Sequence, residues 1–159
     1  MTELENTLQK VIDGNVEYSK EIHAVIRHEI INSQTKLSSS LIWQINKLPK
    51  PEDLLVLFIK LHMYEKGDEA CLFEHPEEKD LLKLFIKIYD FSNECQLKMF
   101  QLPYAEEIIR EYVECYILCD EAEMLLFTLP NAELMVRYYH NRRWLCREAL
   151  IKAQLNGWV

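Results

Sequence analysis

The sequence predicts an all-α protein, an α-solenoid of about five stacked helix-turn-helix units. Three observations carry this expectation. The stretch from Asn93 to Cys119, NECQLKMFQLPYAEEIIREYVECYILC, is followed without a gap by Asp120 to Cys146, DEAEMLLFTLPNAELMVRYYHNRRWLC. The two share Phe100/Phe127, Leu102/Leu129, Pro103/Pro130, Ala105/Ala132, Glu106/Glu133, Arg110/Arg137, Tyr112/Tyr139 and Cys119/Cys146. Second, Pro49, Pro76, Pro103 and Pro130 recur every 27 residues, and a fixed period in this range marks a repeat array. Third, 3 glycines and 5 prolines in 159 residues disfavour a sandwich or barrel built from many tight turns.

With 49% apolar and 28% charged residues, the chain reads as one globular domain large enough to bury a core. A net charge of −8 disfavours a general nucleic-acid or anionic-membrane binder. The 5 cysteines (Cys71, Cys95, Cys115, Cys119, Cys146) are odd in number and lack a disulfide-scaffold spacing. The start, MTELENTLQKV, lacks the apolar centre of a signal peptide. The longest apolar run, Leu54 to Ile59, is far too short to span a bilayer. Together these lead to the expectation of reduced thiols, a cytoplasmic location and no membrane partner.

In chain order, Thr2 with Glu5 fits a capping box. Leu4, Leu8, Val11 and Ile12 give a helical stripe that Gly14-Asn15 stops. A second helix carries Ile22, Val25, Ile26, Ile30 and Ile31. Residues 1–37 are read as a divergent N-terminal cap, and 38–65, 66–92, 93–119 and 120–146 as repeats. The first is a cap because terminal repeats must present one face to water, and residues 147–159 are read as a C-terminal cap helix. Each repeat holds a short helix, a proline-marked turn, a longer helix and a second turn. Short helices are expected near 40–47, 68–74, 94–101, 121–128 and 147–155, with Asn93/Gln96 and Asp120/Glu123 as cap and reciprocal partner. Longer helices are expected near 51–64, 77–91, 104–118 and 131–145. Their first turns carry Glu52, Asp53, Glu77, Glu78, Glu106, Glu107 and Glu133, where the helix dipole favours anions.

Apolar positions stay in register through the longer helices: Leu55, Leu82, Ile109, Val136; then Phe58, Phe85, Tyr112, Tyr139; then Ile59, Ile86, Val113, broken at His140; then Tyr64, Phe91, Leu118, Leu145. On the short helices the expected core columns are Trp43, Ala70, Leu97, Met124 and Phe73, Phe100, Phe127. Leu150 stands where Glu69, Gln96 and Glu123 stood, so a position expected to be wet turns apolar, to be covered by Trp158 or by a partner.

The unit resembles the helical hairpins of tetratricopeptide, HEAT and Sel1-like arrays, although its period is shorter and the tetratricopeptide tryptophan and glycine positions are absent. The words LPYAEE and LPNAE, each followed by a tyrosine and a Leu-Cys turn, resemble tandem units of bacterial helical-repeat proteins across residues 66–155. The resemblance implies a fold and brings no activity or catalytic residue with it.

No glycine-rich phosphate loop, nucleophile elbow or zincin helix is present. Cys71/His75 and Cys115/Cys119, spaced i, i+4, could each offer two zinc ligands, but small buried side chains at a turn explain the repeated cysteines better. No enzyme, metal or cofactor is therefore expected. The surface of the longer helices is more informative. Val56, Lys83, Arg110 and Arg137 form one column, Lys60, Lys87, Glu114 and Asn141 a second, and His62, Tyr89, Tyr116 and Arg143 a half-buried third. The cluster Arg137, His140, Arg142, Arg143, Arg147 and Lys152 thickens this stripe. The expectation is a non-catalytic scaffold in which Lys60, Lys83, Lys87, Tyr89, Arg110, Tyr116, Arg137 and Arg143 hold an acidic protein or peptide segment. Leu150 and Trp158 are a candidate end interface, and nucleic-acid binding through the same stripe is the alternative.

Overall fold

A computed structural model describes residues 2–33, 39–61, 63–75 and 78–159. Ser38, His62, Pro76 and Glu77, which the sequence reading used, lie outside the described residues. Every regular element among the described residues is helical, as predicted. Contacts divide the chain into two compact units, Met1–Leu84 and Phe85–Val159.

The first unit holds α1 (Glu3–Ile12), α2 (Lys20–Asn32), α3 (Ser39–Asn46), α4 (Glu52–Lys60), a 3-10 helix (Asp68–Glu74) and most of α5 (Glu78–Ile86). The capping box forms: Thr2 and Glu5 each accept the other's backbone amide. Gly14, at φ 73°, turns the chain after α1, a left-handed conformation that only glycine adopts without strain. Helix α3 packs against α1, α4 and the 3-10 helix. Leu8, Ile26, Ile30, Ile42, Leu54, Leu55 and Phe58 are sealed from solvent. Side chains of the 68–74 3-10 helix take amides that lead into it: Asp68 accepts from Glu65 and Glu69 from Gly67.

The second unit holds α6 (Asn93–Met99), α7 (Ala105–Cys115), α8 (Asp120–Leu125) prolonged by a 3-10 turn (Leu126–Thr128), α9 (Ala132–His140) and α10 (Arg147–Leu155). Helices α6, α8 and α10 start 27 residues apart, and so do α7 and α9. Helix α8 packs on both α6 and α10, while α7 packs on α9. All four columns of the longer helices are buried in this unit, at Ile109/Val136, Tyr112/Tyr139, Val113 and Leu118/Leu145, with His140 only half-buried. Five rings run through its centre, Tyr89–Phe85–Phe91–Tyr112–Tyr116, with successive centroids 4.9–5.6 Å apart.

Three expectations need correction. The longer helices end earlier than expected, α7 at Cys115 rather than 118 and α9 at His140 rather than 145. The amides beyond α7 are claimed by other elements: Leu118 donates to the Tyr139 hydroxyl and Cys119 to Gln96, so an irregular link replaces the last turn. The short-helix columns are also shifted. Leu97, Met124, Phe100 and Phe127 are half-buried, whereas Cys95, Ala122, Ala149 and Met99, Leu126, Ala153 form the core.

Three buried polar side chains account for this shift, against the expectation that their positions are wet. Glu69, Gln96 and Glu123 are not wet: they are 0%, 4% and 2% exposed. Gln96 Oε1 accepts from the Cys119 amide at 2.7 Å, and Glu123 Oε2 accepts from the Cys146 amide at 2.5 Å. Cys119 and Cys146 are the N-caps of α8 and α10 and make no side-chain cap bond of their own. Gln96 and Glu123 therefore serve the next short helix, not their own. The cap of α6 is Ser92, one residue before Asn93, and Asp120 lies inside α8. Leu150, half-buried, takes the place of these acceptors in α10.

Candidate interaction face

The predicted face divides between the units. In the first, Lys60 ends α4 exposed and Lys83 is half-buried on α5. In the second, Lys87 is exposed, Tyr89, Arg110, Tyr116 and Arg143 are half-buried, and Arg137 is exposed. Val56, Lys83 and Arg110 are thus less exposed than a solvent column would be.

Helices α7 and α9 bring the second unit's residues together. Tyr89 and Tyr116 are the two ends of the five-ring stack, so each presents a ring whose other side is anchored in the core. Burial raises the Tyr116 hydroxyl above its ordinary pKa, with Cys115 and Asp90 adding to the effect. The cations are partly committed to the fold. Arg137 pairs with Glu133 one turn away at 3.0 Å. Arg143 donates to the backbone carbonyls of Glu114 and Tyr116 at 3.4 and 3.5 Å. There a cation meets the negative end of α7.

Tyr138, which sequence reasoning missed, is the hub of the face. The guanidiniums of Arg142 and Arg110 lie 3.7 and 5.3 Å from its ring centroid. Its hydroxyl donates to Glu114, which also pairs with Arg142 at 2.7 Å. The Tyr138 and Arg142 hydrogen bonds hold the Glu114 carboxyl below its usual range, and the carboxylate raises the Tyr138 hydroxyl. No repeat signal marks Tyr138, since its counterpart 27 residues earlier is Glu111. Arg110 also reaches Met135 Sδ at 3.5 Å. A rigid row of guanidinium, ring and carboxylate results, with further cations at its edge.

The candidate end interface takes a different form. Trp158 stacks on Phe127, with centroids 5.5 Å apart and planes 11° from parallel, and Lys152 Nζ lies 4.8 Å from the same ring. Lys152 is thereby held at α10 on the Phe127 ring. Trp158 also lines an open groove of about 470 Å³ with Leu134 and Arg137. Among the described residues no group of three or more His, Cys, Asp or Glu side chains could hold a metal ion. No described helix is long and apolar enough to cross a membrane. No family model, no curated protein and no solved structure matches this chain.

Proposed function

We propose that this protein is a non-catalytic interaction module, an α-solenoid of about five stacked helical hairpins whose basic and aromatic helix face takes an acidic protein segment. The solenoid reading is supported by the recurrence, 27 residues apart, of the same joint: a buried Gln96 or Glu123 side chain holding the N-cap amide of the next short helix. The functional reading rests on one observation above the others, the row in which Arg110 of α7 and Arg142, just past α9, lie against the ring of Tyr138 on α9. Guanidiniums held against a ring are pre-organised, so little rotamer entropy is lost when they bind a carboxylate.

The rival reading is a single-strand nucleic-acid binder. It is favoured by a fully projecting indole, Trp144, among arginines, since aromatic rings beside cations are what unpaired bases stack on. A lysate pull-down separates the two. The native protein is compared with an Arg110→Glu/Arg137→Glu variant, with and without nuclease, after circular dichroism has shown both to be folded. A protein partner that survives nuclease and is lost in the variant supports the proposal. Capture abolished by nuclease supports the rival.

A further inference from the structure

Trp144 is 90% exposed, and Ile117, its counterpart 27 residues earlier, is 64% exposed. Each lies in the link after a longer helix, between a half-buried residue (Tyr116, Arg143) and a buried leucine (Leu118, Leu145). The two links are neighbours, because Arg143 of one donates to the Tyr116 carbonyl of the other and to the Glu114 carbonyl in the last turn of α7. Their leucines enter the core, and the adjacent Ile117 and Trp144 are left projecting from one edge. A large apolar side chain left in water at the same place in two successive links is a property of an edge, not of one residue, and such edges mark contact sites.

The stretch that carries Trp144 is basic, and Glu114 and Glu133 are the carboxylates paired with it. Residues 134–147 contain Arg137, Arg142, Arg143, Arg147 and His140 and no acidic residue, in a chain whose net charge is −8. Arg142 is paired with Glu114. Arg143 is held by main-chain carbonyls, which fix the guanidinium without neutralising it. Arg147 is exposed at the start of α10. Beside the indole, His140, Asn141, Arg142, Arg143 and Trp144 line an open depression of about 280 Å³. Nδ1 of His140 is buried without a hydrogen-bond partner.

We infer that the Ile117–Trp144 edge is the anchoring point for the acidic segment of the proposed partner, and that the segment carries an apolar or aromatic side chain next to its carboxylates. The inference rests on the interaction-module reading and locates its strongest contact. A carboxylate meets Arg143 and Arg147, and the apolar side chain covers the indole and Ile117. An indole with cations beside it is the composition of an interface hot spot, and charge complementarity selects an acidic partner.

The test uses the full chain and short fluorescein-labelled peptides. One peptide is built of Asp, Glu and Ser with a central Phe, one has Ser in place of the Phe, and one has Lys in place of the acids. A single-stranded oligo-dT is the nucleic-acid probe. The expected result is binding of the acidic Phe peptide, weakened about tenfold or more by Trp144→Ser. Removing the Phe from the peptide should weaken binding to the native protein but not further weaken binding to the variant. Trp144 is too exposed for its replacement to disturb the fold, and an unchanged circular dichroism spectrum checks this. Equal affinity for Trp144→Ser overturns the inference. If Arg110→Glu/Arg137→Glu then loses the peptide, the interaction face survives without this edge. Preference for oligo-dT over the acidic Phe peptide overturns the inference in favour of nucleic acid, and binding of no peptide overturns both readings.

Discussion

The Glu123 carboxylate holds the Cys146 amide at 2.5 Å with one oxygen and accepts the Tyr139 hydroxyl at 2.9 Å with the other. Tyr139 in turn accepts from the Leu118 amide at 3.3 Å. One buried side chain thus ties α8, α9, the α7 link and the start of α10. Burial, with the neighbouring carboxylate adding to it, raises the Tyr139 hydroxyl pKa, which keeps it a donor at any physiological pH. Glu123→Ala leaves a buried hydroxyl and an amide without their acceptor and should lower unfolding free energy by about 2–3 kcal/mol. Glu123→Gln keeps one acceptor and should lose less than half of that. Urea denaturation of the three proteins checks both statements.

Glu114 and Tyr138 give a pH signature. The Glu114 carboxyl is lowered from 4.5 by its bonds to Tyr138 and Arg142, so its contribution to stability is present above pH 4.5 and is lost as pH falls below it. The Tyr138 hydroxyl is raised from 10.0 by the same hydrogen bond, so its contribution is present below pH 10.0 and is lost as pH rises further. Carbon-detected NMR should find Glu114 titrating below the ordinary glutamate range. In Glu114→Gln, Tyr138 should return towards the ordinary phenol range in an ultraviolet titration.

The five thiols should separate by reactivity. Cys115 is exposed, while Cys71 and Cys95 are buried. Burial pushes the Cys71 thiol up to about 12 and also raises Cys119 and Cys146. Since the thiolate is the nucleophile, a chromogenic disulfide at neutral pH should modify Cys115 first and leave Cys71 unmodified until the protein unfolds. Mass spectrometry of the partly labelled protein identifies the site.

At the C-terminal side of the second unit, the stack of Trp158 on Phe127 should be measurable. Trp158→Ala removes the stacked ring and should reduce stability by about 1 kcal/mol or somewhat more, read as a shift in the urea midpoint.

Much of this fold was legible because the repeat makes each core position visible several times. Leu55, Leu82, Ile109 and Val136 are all fully buried, as their shared register implied. Gln96 and Glu123 were misread because a polar residue on a helix is ordinarily solvated, and nothing in one sequence shows that its partner is an amide 23 residues onward. That misreading moved the short-helix stripe round to Leu97 and Phe100, away from Cys95 and Met99. For the face, the half-buried setting of Tyr89, Tyr116 and Arg143 followed from the column. Tyr138 and Trp144 did not, because their contacts and exposure depend on how α7 and α9 meet. The commitment of Arg137 to Glu133 and of Arg143 to α7 carbonyls was equally hidden.

A protein segment is proposed to lie along the α7–α9 face. The most direct test places a photo-crosslinking amino acid at Tyr116 in one variant and at Glu94, exposed on α6, in another. Both are irradiated in nuclease-treated lysate. One discrete protein adduct is expected from position 116 and none from position 94, with the adduct lost when Arg110→Glu/Arg137→Glu is added. The same adducts from both positions, or an adduct from 116 that survives the charge reversal, would contradict this placement.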